Sequence, residues 1–285
     1  MDLARAGGRP ENLMEKLQAA LDKARRSRNE RIASSETNPV TPKIQDNTSA
    51  SLIARWQTLT PFEVQDKHLI RHRVVTRSAR KAATPFDILR TKALLQMRQN
   101  GWKRIAITSP MPKSGKSTMA CNLALGLGRQ NDLRSMLFDL DLRDPSVQNF
   151  FETRPPHGIS EMLSGAVPFE EQALRYGENV AVSMAQRAEA DPTRILLAEE
   201  TAEKLDEIQS VYEPDVMIFD LPSVLVNDDS RAFLKNADCA LIVVRADATH
   251  YGQFETCQRE VAEHTNVLGV VLNAYRHDKR AVETA

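Results

Sequence analysis

The sequence predicts a three-layer α/β/α domain with a mostly parallel central sheet, preceded by a helical and flexible N-terminal extension. From about residue 85, short apolar segments alternate with longer amphipathic segments, a pattern that is typical of strands and helices in alternation. Apolar strands that are separated by helices form parallel sheets, and the helices cover both faces of such a sheet. The chain of 285 residues is 41% hydrophobic and 27% charged, which suits a globular protein with a large core.

The individual elements follow from the spacing of apolar residues along the chain. Short apolar runs predict strands over 103–108, 135–140, 179–184, 215–220, 239–244 and 267–272. Amphipathic stretches predict helices over 85–99, from about Lys116, between 159 and 176, over 192–211 and over 251–264. Because helices separate most of the strands, the order of elements favours a parallel arrangement.

Changes in composition divide the chain into an N-terminal extension, a connecting segment, the α/β domain and a short tail. These segments span 1–50, 51–84, 85–276 and 277–285 in that order. Within the extension, 11–33 predicts an amphipathic helix with a basic side, and the polar, proline-containing stretch 34–50 predicts a linker.

The net charge of zero hides an asymmetry along the chain. Residues 1–82 carry 16 Lys and Arg against 9 Asp and Glu, so the remainder is acidic. A basic front segment favours an anionic partner, such as a membrane surface or an acidic protein, although a solvated basic helix has the same composition. We do not expect a nucleic-acid partner.

The sequence favours a cytoplasmic location, peripheral at the inner face of the cell membrane if the basic helix binds there. No apolar run is long enough to span a membrane, and the N-terminus lacks the apolar centre of a signal peptide. The cysteines have neither metal-ligand nor CxxC spacing, so we expect free thiols in a reducing compartment. They are Cys121, Cys239 and Cys257.

The strongest local signal is the segment SPMPKSGKST over 109–118, which follows an apolar strand and opens a helix. In such a phosphate-binding loop (P-loop), backbone N–H groups and the helix dipole attract phosphates. Gly115 lets the backbone pass close to the phosphates, Lys116 can reach the β- and γ-phosphates, and the Ser117 hydroxyl can ligate Mg²⁺. Because the full pattern has glycine where this chain has Pro110, the segment alone also fits a lysine-rich turn. The predicted nucleotide contacts are Pro112, Lys113, Ser114, Gly115, Lys116, Ser117 and Thr118.

Acidic residues stand at the ends of two predicted strands. Asp139 and Asp141 alternate at the end of the strand over 135–140, so they lie on the same side of the chain. Asp220 ends the apolar run 216–219 and matches the carboxylate that holds Mg²⁺ through water in P-loop proteins. Ligands bind at the carboxyl ends of strands in open α/β sheets. Each motif alone is weak evidence, since an Asp after a strand is also a common helix cap, but the three together in this order favour a Mg-ATP site.

Six segments between about residues 86 and 275 resemble one family: PFDILRTKALL, ITSPMPKSGKSTMACNLA, FDLDLRDPSVQNFF, HGISEMLSG, DVMIFDLPS and LGVVLNAYR. Together they resemble the bacterial tyrosine kinases (BY-kinases, CpsD/CapB-like) of capsule and exopolysaccharide synthesis, within the MinD/ParA-like P-loop ATPases. The resemblance implies ATP and Mg²⁺ as cofactors and a protein-tyrosine kinase or ATPase activity. It implies catalytic roles for Lys116, Asp139 and Asp141. It implies metal-associated roles for Ser117, Asp139 and Asp220, and a place for Asn273 near the adenine.

The resemblance also implies partners. A membrane polysaccharide co-polymerase or export protein on a separate chain is expected, and the basic helix over 11–33 is a candidate to dock to it. A second copy of the chain is a further candidate partner. The family's kinases end in a tyrosine cluster, whereas one tyrosine, Tyr275, follows Asn273 here. Whether the phosphate goes to tyrosine or to water is therefore open.

Two other functions remain as alternatives from the sequence. The first is a MinD/ParA-like positioning or partitioning ATPase. Such proteins carry a signature lysine five residues before Lys116, where this chain has Met111, although Lys113 is a possible substitute. The second is a nucleotide-dependent scaffold without turnover, for which the three retained carboxylates would be unnecessary.

Overall fold

Eight strands form one mostly parallel sheet at the centre of the molecule, which confirms the predicted fold class. The structure is a computed structural model that describes residues 45–78 and 81–275; the predicted helix over 11–33 and the tail over 277–285 lie outside the described residues. The strands are β1 (Thr60–Phe62), β2 (Arg104–Ser109), β3 (Ser135–Asp139), β4 (Leu174–Tyr176), β5 (Val180–Ser183), β6 (Val216–Ser223), β7 (Cys239–Arg245) and β8 (Asn266–Asn273). They lie side by side in the order β1-β4-β5-β3-β6-β2-β7-β8.

Helices connect most of the strands. In the described part of the chain the α-helices are α1 (Gln45–Thr58), α2 (Asp66–Arg71), α3 (Thr84–Asn100), α4 (Lys116–Gly128), α5 (Val147–Phe151), α6 (Ile159–Leu163), α7 (Phe169–Gln172), α8 (Pro192–Leu197), α9 (Glu199–Tyr212), α10 (Asp229–Leu234) and α11 (Tyr251–His264). The predicted helix over 192–211 is two helices, because Ala198 has an extended ψ of 143° between them. None of the described helices is long and apolar enough to cross a membrane.

Two buried clusters of side chains, one on each face of the sheet, form the core. Phe138 of β3 and Phe219 of β6 belong to one cluster, and their ring centroids are 5.4 Å apart. The preceding residue on each of these strands, Leu137 and Ile218, belongs to the other cluster, to which α4 contributes most of its side chains. This alternation is the two-residue period of a strand that is buried on both faces.

One edge of the sheet differs from the prediction. The sequence indicates helices between 159 and 176, but the last residues of this range form β4, which is antiparallel to β5 and parallel to β1. Gly177 lies between β4 and β5 with a φ of +59°, a left-handed conformation that glycine adopts readily. Since β1 and β4 have three residues each, they are too short to show a strand period in the sequence.

The first described helix begins earlier in the chain than the sequence indicates. Helix α1 begins at Gln45, within the stretch 34–50 that the sequence predicts as a linker. The start of α1 is polar and has no apolar period, so the sequence gives no sign of a helix there. Trp56 is 1% exposed, and its Nε1 donates a hydrogen bond of 2.8 Å to the carbonyl oxygen of Tyr212 at the end of α9. The second half of α1 is therefore part of the α/β core.

We expect Trp56→Ala to lower the free energy of unfolding by about 3–5 kcal/mol, because it leaves a cavity and an unpaired carbonyl. Trp56→Phe keeps most of the packing and should cost about 1–2 kcal/mol. Denaturant titration measures both, with Ile53→Ala, at a 47% exposed position on the same helix, as the control. If Trp56→Ala matches the control, α1 does not unfold together with the sheet.

Candidate nucleotide site

The predicted site residues meet at the carboxyl ends of three neighbouring strands. β6 lies between β3 and β2, and Asp139 of β3 is directly opposite Asp220 of β6. β2 ends at Ser109, where the predicted phosphate loop begins. Asp139 follows Phe138 and Asp220 follows Phe219, and both Phe side chains lie on the face of the sheet away from α4. Because side chains alternate along a strand, both carboxyl groups lie on the face that α4 covers. The sheet thus places the two acids beside the loop and the start of α4.

Local hydrogen bonds and positive φ angles shape the loop. The hydroxyls of Ser109 and Ser114 both donate to the carbonyl oxygen of Met111, at 2.8 and 2.7 Å. Lys113 has a φ of +60° and Gly115 a φ of +94°. The left-handed conformation at Gly115 favours glycine, whereas at Lys113 it costs free energy that the surrounding contacts must offset.

Side chains from the ends of β7 and β8 hold the loop from the other side. Arg245 Nη1 donates to the carbonyl oxygen of Lys113 at 3.1 Å, and Asn273 Nδ2 donates to the carbonyl oxygen of Ser114 at 2.8 Å. A Cβ at Gly115 would lie 2.2 Å from Asn273 Nδ2, so a larger residue would displace the amide that binds Ser114. The sequence analysis missed Arg245, although its position as the last residue of an apolar strand was a signal. The family resemblance implies a place for Asn273 near the adenine, and that role stays a prediction. The structure shows that its amide donates a hydrogen bond to the loop.

A cavity of about 400 Å³ lies beside the loop. Of the predicted residues, it is lined by Pro112, Lys113, Gly115, Lys116, Ser117, Thr118 and Asp141. The other described residues that line it, which the sequence analysis did not single out, are Arg143, Asp144, Ser146, Phe150, Pro222, Ser223, Val226 and Asn227. Most of the predicted phosphate loop therefore faces one cavity, together with the loop after β3 and the loop after β6.

Lys116 is the first residue of α4 and is 8% exposed. Its Nζ lies 3.8 Å from Asp141 Oδ2, which is longer than a hydrogen bond. Burial raises the pKa of the Asp141 carboxyl, and the Lys116 ammonium opposes that rise. The ammonium is thus near the cavity and only loosely paired, so an anionic phosphate can approach it.

The two register-paired acids have little hydrogen bonding to offset their burial. Asp139 Oδ2 accepts a hydrogen bond of 3.0 Å from the backbone N–H of Val147, at the start of α5. Among the described residues, Asp139 Oδ1 and both carboxylate oxygens of Asp220 have no partner. Burial, and then the neighbouring Asp220, raises the pKa of Asp139 well above its ordinary value. Burial also raises the pKa of Asp220 to about 7, while Lys116 and Ser117 limit the rise.

These buried oxygens fit a divalent cation that is bound together with phosphates. Mg²⁺ prefers hard oxygen ligands and is usually held by one or two carboxylates, phosphates and water. The three carboxylate oxygens of Asp139 and Asp220 that accept no hydrogen bond match that set, together with the Ser117 hydroxyl. That hydroxyl accepts a hydrogen bond of 3.0 Å from Ser146. Within residues 45–78 and 81–275, no group of three or more His, Cys, Asp or Glu side chains is arranged to hold a metal.

The sequence is similar to one nucleotide-binding family and to bacterial tyrosine-protein kinases. The sequence model of the CobQ/CobB/MinD/ParA nucleotide binding domain matches residues 105–285. The tyrosine-protein kinase ptk of Acinetobacter johnsonii is 28% identical over 172 residues, 59% of this chain and 23% of that protein. The tyrosine-protein kinase YwqD of Bacillus subtilis is 27% identical over 181 residues, 63% of this chain and 75% of that protein. The chain thus spans about a quarter of the first relative and three-quarters of the second.

A solved structure has the same fold. The kinase domain of the Escherichia coli tyrosine kinase ETK superimposes with a TM-score of 0.63 and 23% identity, covering 70% of this chain and 81% of that chain. This likeness confirms the predicted α/β/α architecture. Together with the curated relatives, it confirms the resemblance to the BY-kinases that the motifs indicate.

We expect stability to fall with rising pH because of Asp220 in the nucleotide-free protein. A carboxyl group with a higher pKa in the folded state binds its proton more tightly there. Its contribution to the free energy of unfolding therefore decreases between about pH 4, the unfolded pKa, and about pH 7, the folded pKa. Asp220→Asn removes this titration. In denaturant titrations without Mg²⁺, the free energy of unfolding of the variant should therefore increase relative to that of the wild type as the pH rises from about 4 to about 7.

Asp144→Asn, at an exposed position on the same cavity, is the matched control for the Asp220 titration. The predicted effect of pH is a change in the difference between the free energies of unfolding of Asp220→Asn and of the wild type. A difference that stays constant from about pH 4 to about pH 8 would contradict the raised pKa of Asp220.

For Asn273→Ala, we expect ADP and GDP affinities to fall by the same factor, about 5- to 10-fold, because the lost hydrogen bond holds the loop carbonyl of Ser114. Isothermal titration calorimetry with the two Mg-nucleotides measures the factor. Asn266→Ala, at the opposite end of β8, is the control. A loss for ADP alone would instead assign Asn273 to the adenine, as the family resemblance implies.

Proposed function

The chain belongs to the CobQ/CobB/MinD/ParA nucleotide-binding family, and we propose that it is a Mg-ATP-dependent kinase that transfers the γ-phosphate to tyrosine. The observation that carries this proposal is a pair of buried acids, Asp139 and Asp220, beside the phosphate loop and Lys116. Three of their four carboxylate oxygens accept no hydrogen bond from the described residues. Tyrosine as the acceptor is proposed because curated relatives are tyrosine-protein kinases.

The described residues supply the parts that phosphoryl transfer needs. The loop N–H groups and Lys116 would bind the β- and γ-phosphates. Ser117, Asp139 and Asp220 would hold Mg²⁺ or its water ligands, and the bound ion would neutralise charge on the phosphates. Asp141 lines the same cavity, and burial raises its pKa, which suits a group that accepts a proton from an attacking hydroxyl.

The acceptor tyrosine must be accessible, and two of the chain's four tyrosines are exposed. Tyr251 at the start of α11 is 76% exposed, and Tyr275 is 63% exposed. Tyr212 is buried in one core cluster, and Tyr176 packs against the other. If the chain phosphorylates copies of itself, Tyr251 and Tyr275 are the candidates.

We also propose the cellular setting that the resemblance to the BY-kinases implies. The enzyme would be cytoplasmic and regulate capsule or exopolysaccharide synthesis together with a membrane polysaccharide co-polymerase or export protein on a separate chain. The basic segment over 11–33 would bind that partner or an anionic membrane surface, and copies of the chain would associate with one another. The net positive charge of residues 1–82 supports an anionic surface as the target.

The proposal is tested by incubating the protein with Mg-ATP and measuring phosphotyrosine by phosphopeptide mass spectrometry, alongside released phosphate. We expect phosphotyrosine on the wild type. Asp139→Asn should still bind ATP but turn over about 100-fold more slowly, because a metal-side charge is lost. Lys116→Ala should lose tight binding of both ATP and ADP.

The outcomes separate three functions. Released phosphate without phosphotyrosine would make the protein an ATPase switch, the second candidate, which the MinD/ParA family match also fits. ATP binding without either product would leave a nucleotide-dependent scaffold. Unchanged nucleotide affinity in Lys116→Ala would remove the phosphate-loop assignment itself.

A further inference from the structure

An arginine that the sequence analysis did not single out enters the nucleotide cavity from the loop after β3. Arg143 lines the cavity, and its side chain is 44% exposed. Its Nε and Nη2 donate to the two carboxylate oxygens of Asp229, at 2.6 and 3.0 Å. This is a bidentate pair, in which the planar guanidinium and the planar carboxylate fix each other's orientation.

The partner of Arg143 is held rigidly. The Asp229 side chain is 0% exposed, and its Oδ1 also accepts a hydrogen bond of 2.5 Å from the Thr193 hydroxyl, at the start of α8. Its backbone N–H donates to Asn227 Oδ1 at 3.2 Å, and Asn227 lines the cavity as well. A buried carboxylate is costly unless it is paired, so the geometry of Asp229 strongly restrains the guanidinium.

The pairing leaves one edge of the guanidinium available. Asp229 occupies the side formed by Nε and Nη2, and in the described part of the chain no residue accepts a hydrogen bond from Nη1. A guanidinium has five N–H donors, so the edge formed by Nη1 and Nη2 can still donate two hydrogen bonds. Planar donor pairs of this kind bind phosphate oxygens bidentately.

We propose that this edge of Arg143 binds the terminal phosphoryl group of a nucleoside triphosphate, and that Asp229 and Thr193 position the guanidinium for it. This inference rests on the proposed function. Lys116, the first residue of α4, lines the same cavity, so two cations from different parts of the fold would bind the phosphates. Arg143 would then favour the triphosphate over the diphosphate, since only the triphosphate has the group that it contacts.

A competing role is purely structural: Arg143 would only neutralise the buried Asp229. The two roles differ in one measurable quantity, the ratio of the affinities for triphosphate and diphosphate. Loss of a structural ion pair would weaken binding of both nucleotides or of neither. Loss of a contact to the terminal phosphoryl group would weaken the triphosphate alone.

The experiment uses the full chain in the presence of Mg²⁺. Calorimetric titration measures its affinity for ADP and for the non-hydrolysable triphosphate AMP-PNP. In Arg143→Gln we expect AMP-PNP affinity to fall about 10- to 100-fold, because two charge-assisted hydrogen bonds are lost, and ADP affinity to change less than about twofold. Arg143→Lys should lose the preference as well, because an ammonium cannot serve the carboxylate and the phosphate in the same planar geometry.

The positioning role is tested with Thr193→Val and Asp229→Asn, which keep Arg143 but loosen its restraint. Both should reduce the preference for AMP-PNP by a smaller factor than Arg143→Gln does. Arg231→Gln is the matched control, because Arg231 lies on the same helix as Asp229 and is paired with Glu260 and Asp228, whereas Arg143 faces the cavity. Thermal unfolding of each variant accompanies the titrations.

Equal losses for ADP and AMP-PNP in Arg143→Gln, or no loss for either, would overturn the inference. If Arg143→Gln does not fold, an unchanged preference in Thr193→Val and Asp229→Asn overturns it instead. Lys116→Ala separates this result from the proposed function: if that variant still binds ADP tightly, the phosphate-loop assignment fails, whatever Arg143 does.

Discussion

Asp139 and Asp220 occupy paired positions on adjacent strands, fully removed from water, and three of their four carboxylate oxygens have no partner among the described residues. Two acids so close together cannot both ionise without a compensating positive charge. The surrounding elements supply part of it: α4 directs its N-terminus and Lys116 toward the acids, and α5 donates a backbone N–H to Asp139. The site therefore has a deficit of positive charge, which a Mg²⁺ ion that enters with a nucleotide would reduce.

The same arrangement explains why so many strands contribute to one small site. The loop between β2 and α4 must keep its N–H groups directed at the cavity although it lacks glycines at two positions where they are common, Pro110 and Lys113. Arg245 and Asn273 hold its carbonyl groups from β7 and β8, so the loop conformation is fixed from outside the loop. The order of strands in the sheet thus places the ends of β7 and β8 close enough for one side chain of each to contact the loop.

Much of this architecture could be predicted from the sequence, because buried parallel strands are continuous apolar runs and the phosphate loop has a fixed spacing. The parts that could not be predicted depend on distant contacts. The start of α1 has no apolar period, and its docking depends on Trp56 meeting the end of α9. Arg143 and Asp229 lie 86 residues apart in the chain and carry no joint signal without the fold. The family resemblance implies a place for Asn273 near the adenine, which stays a prediction, and only the coordinates show that its amide contacts the loop.

The bond between Trp56 and Tyr212 spans 156 residues, and this separation has a consequence for synthesis. As the chain leaves the ribosome, α1 and β1 emerge long before β4 and α9, the elements that cover them. Until residue 212 is available, the apolar side of α1 is exposed, and closing so long a loop is slow compared with forming the local helices. Helix α1 and strand β1 therefore remain unpacked, and accessible to chaperones and partners, while the rest of the sheet is synthesised.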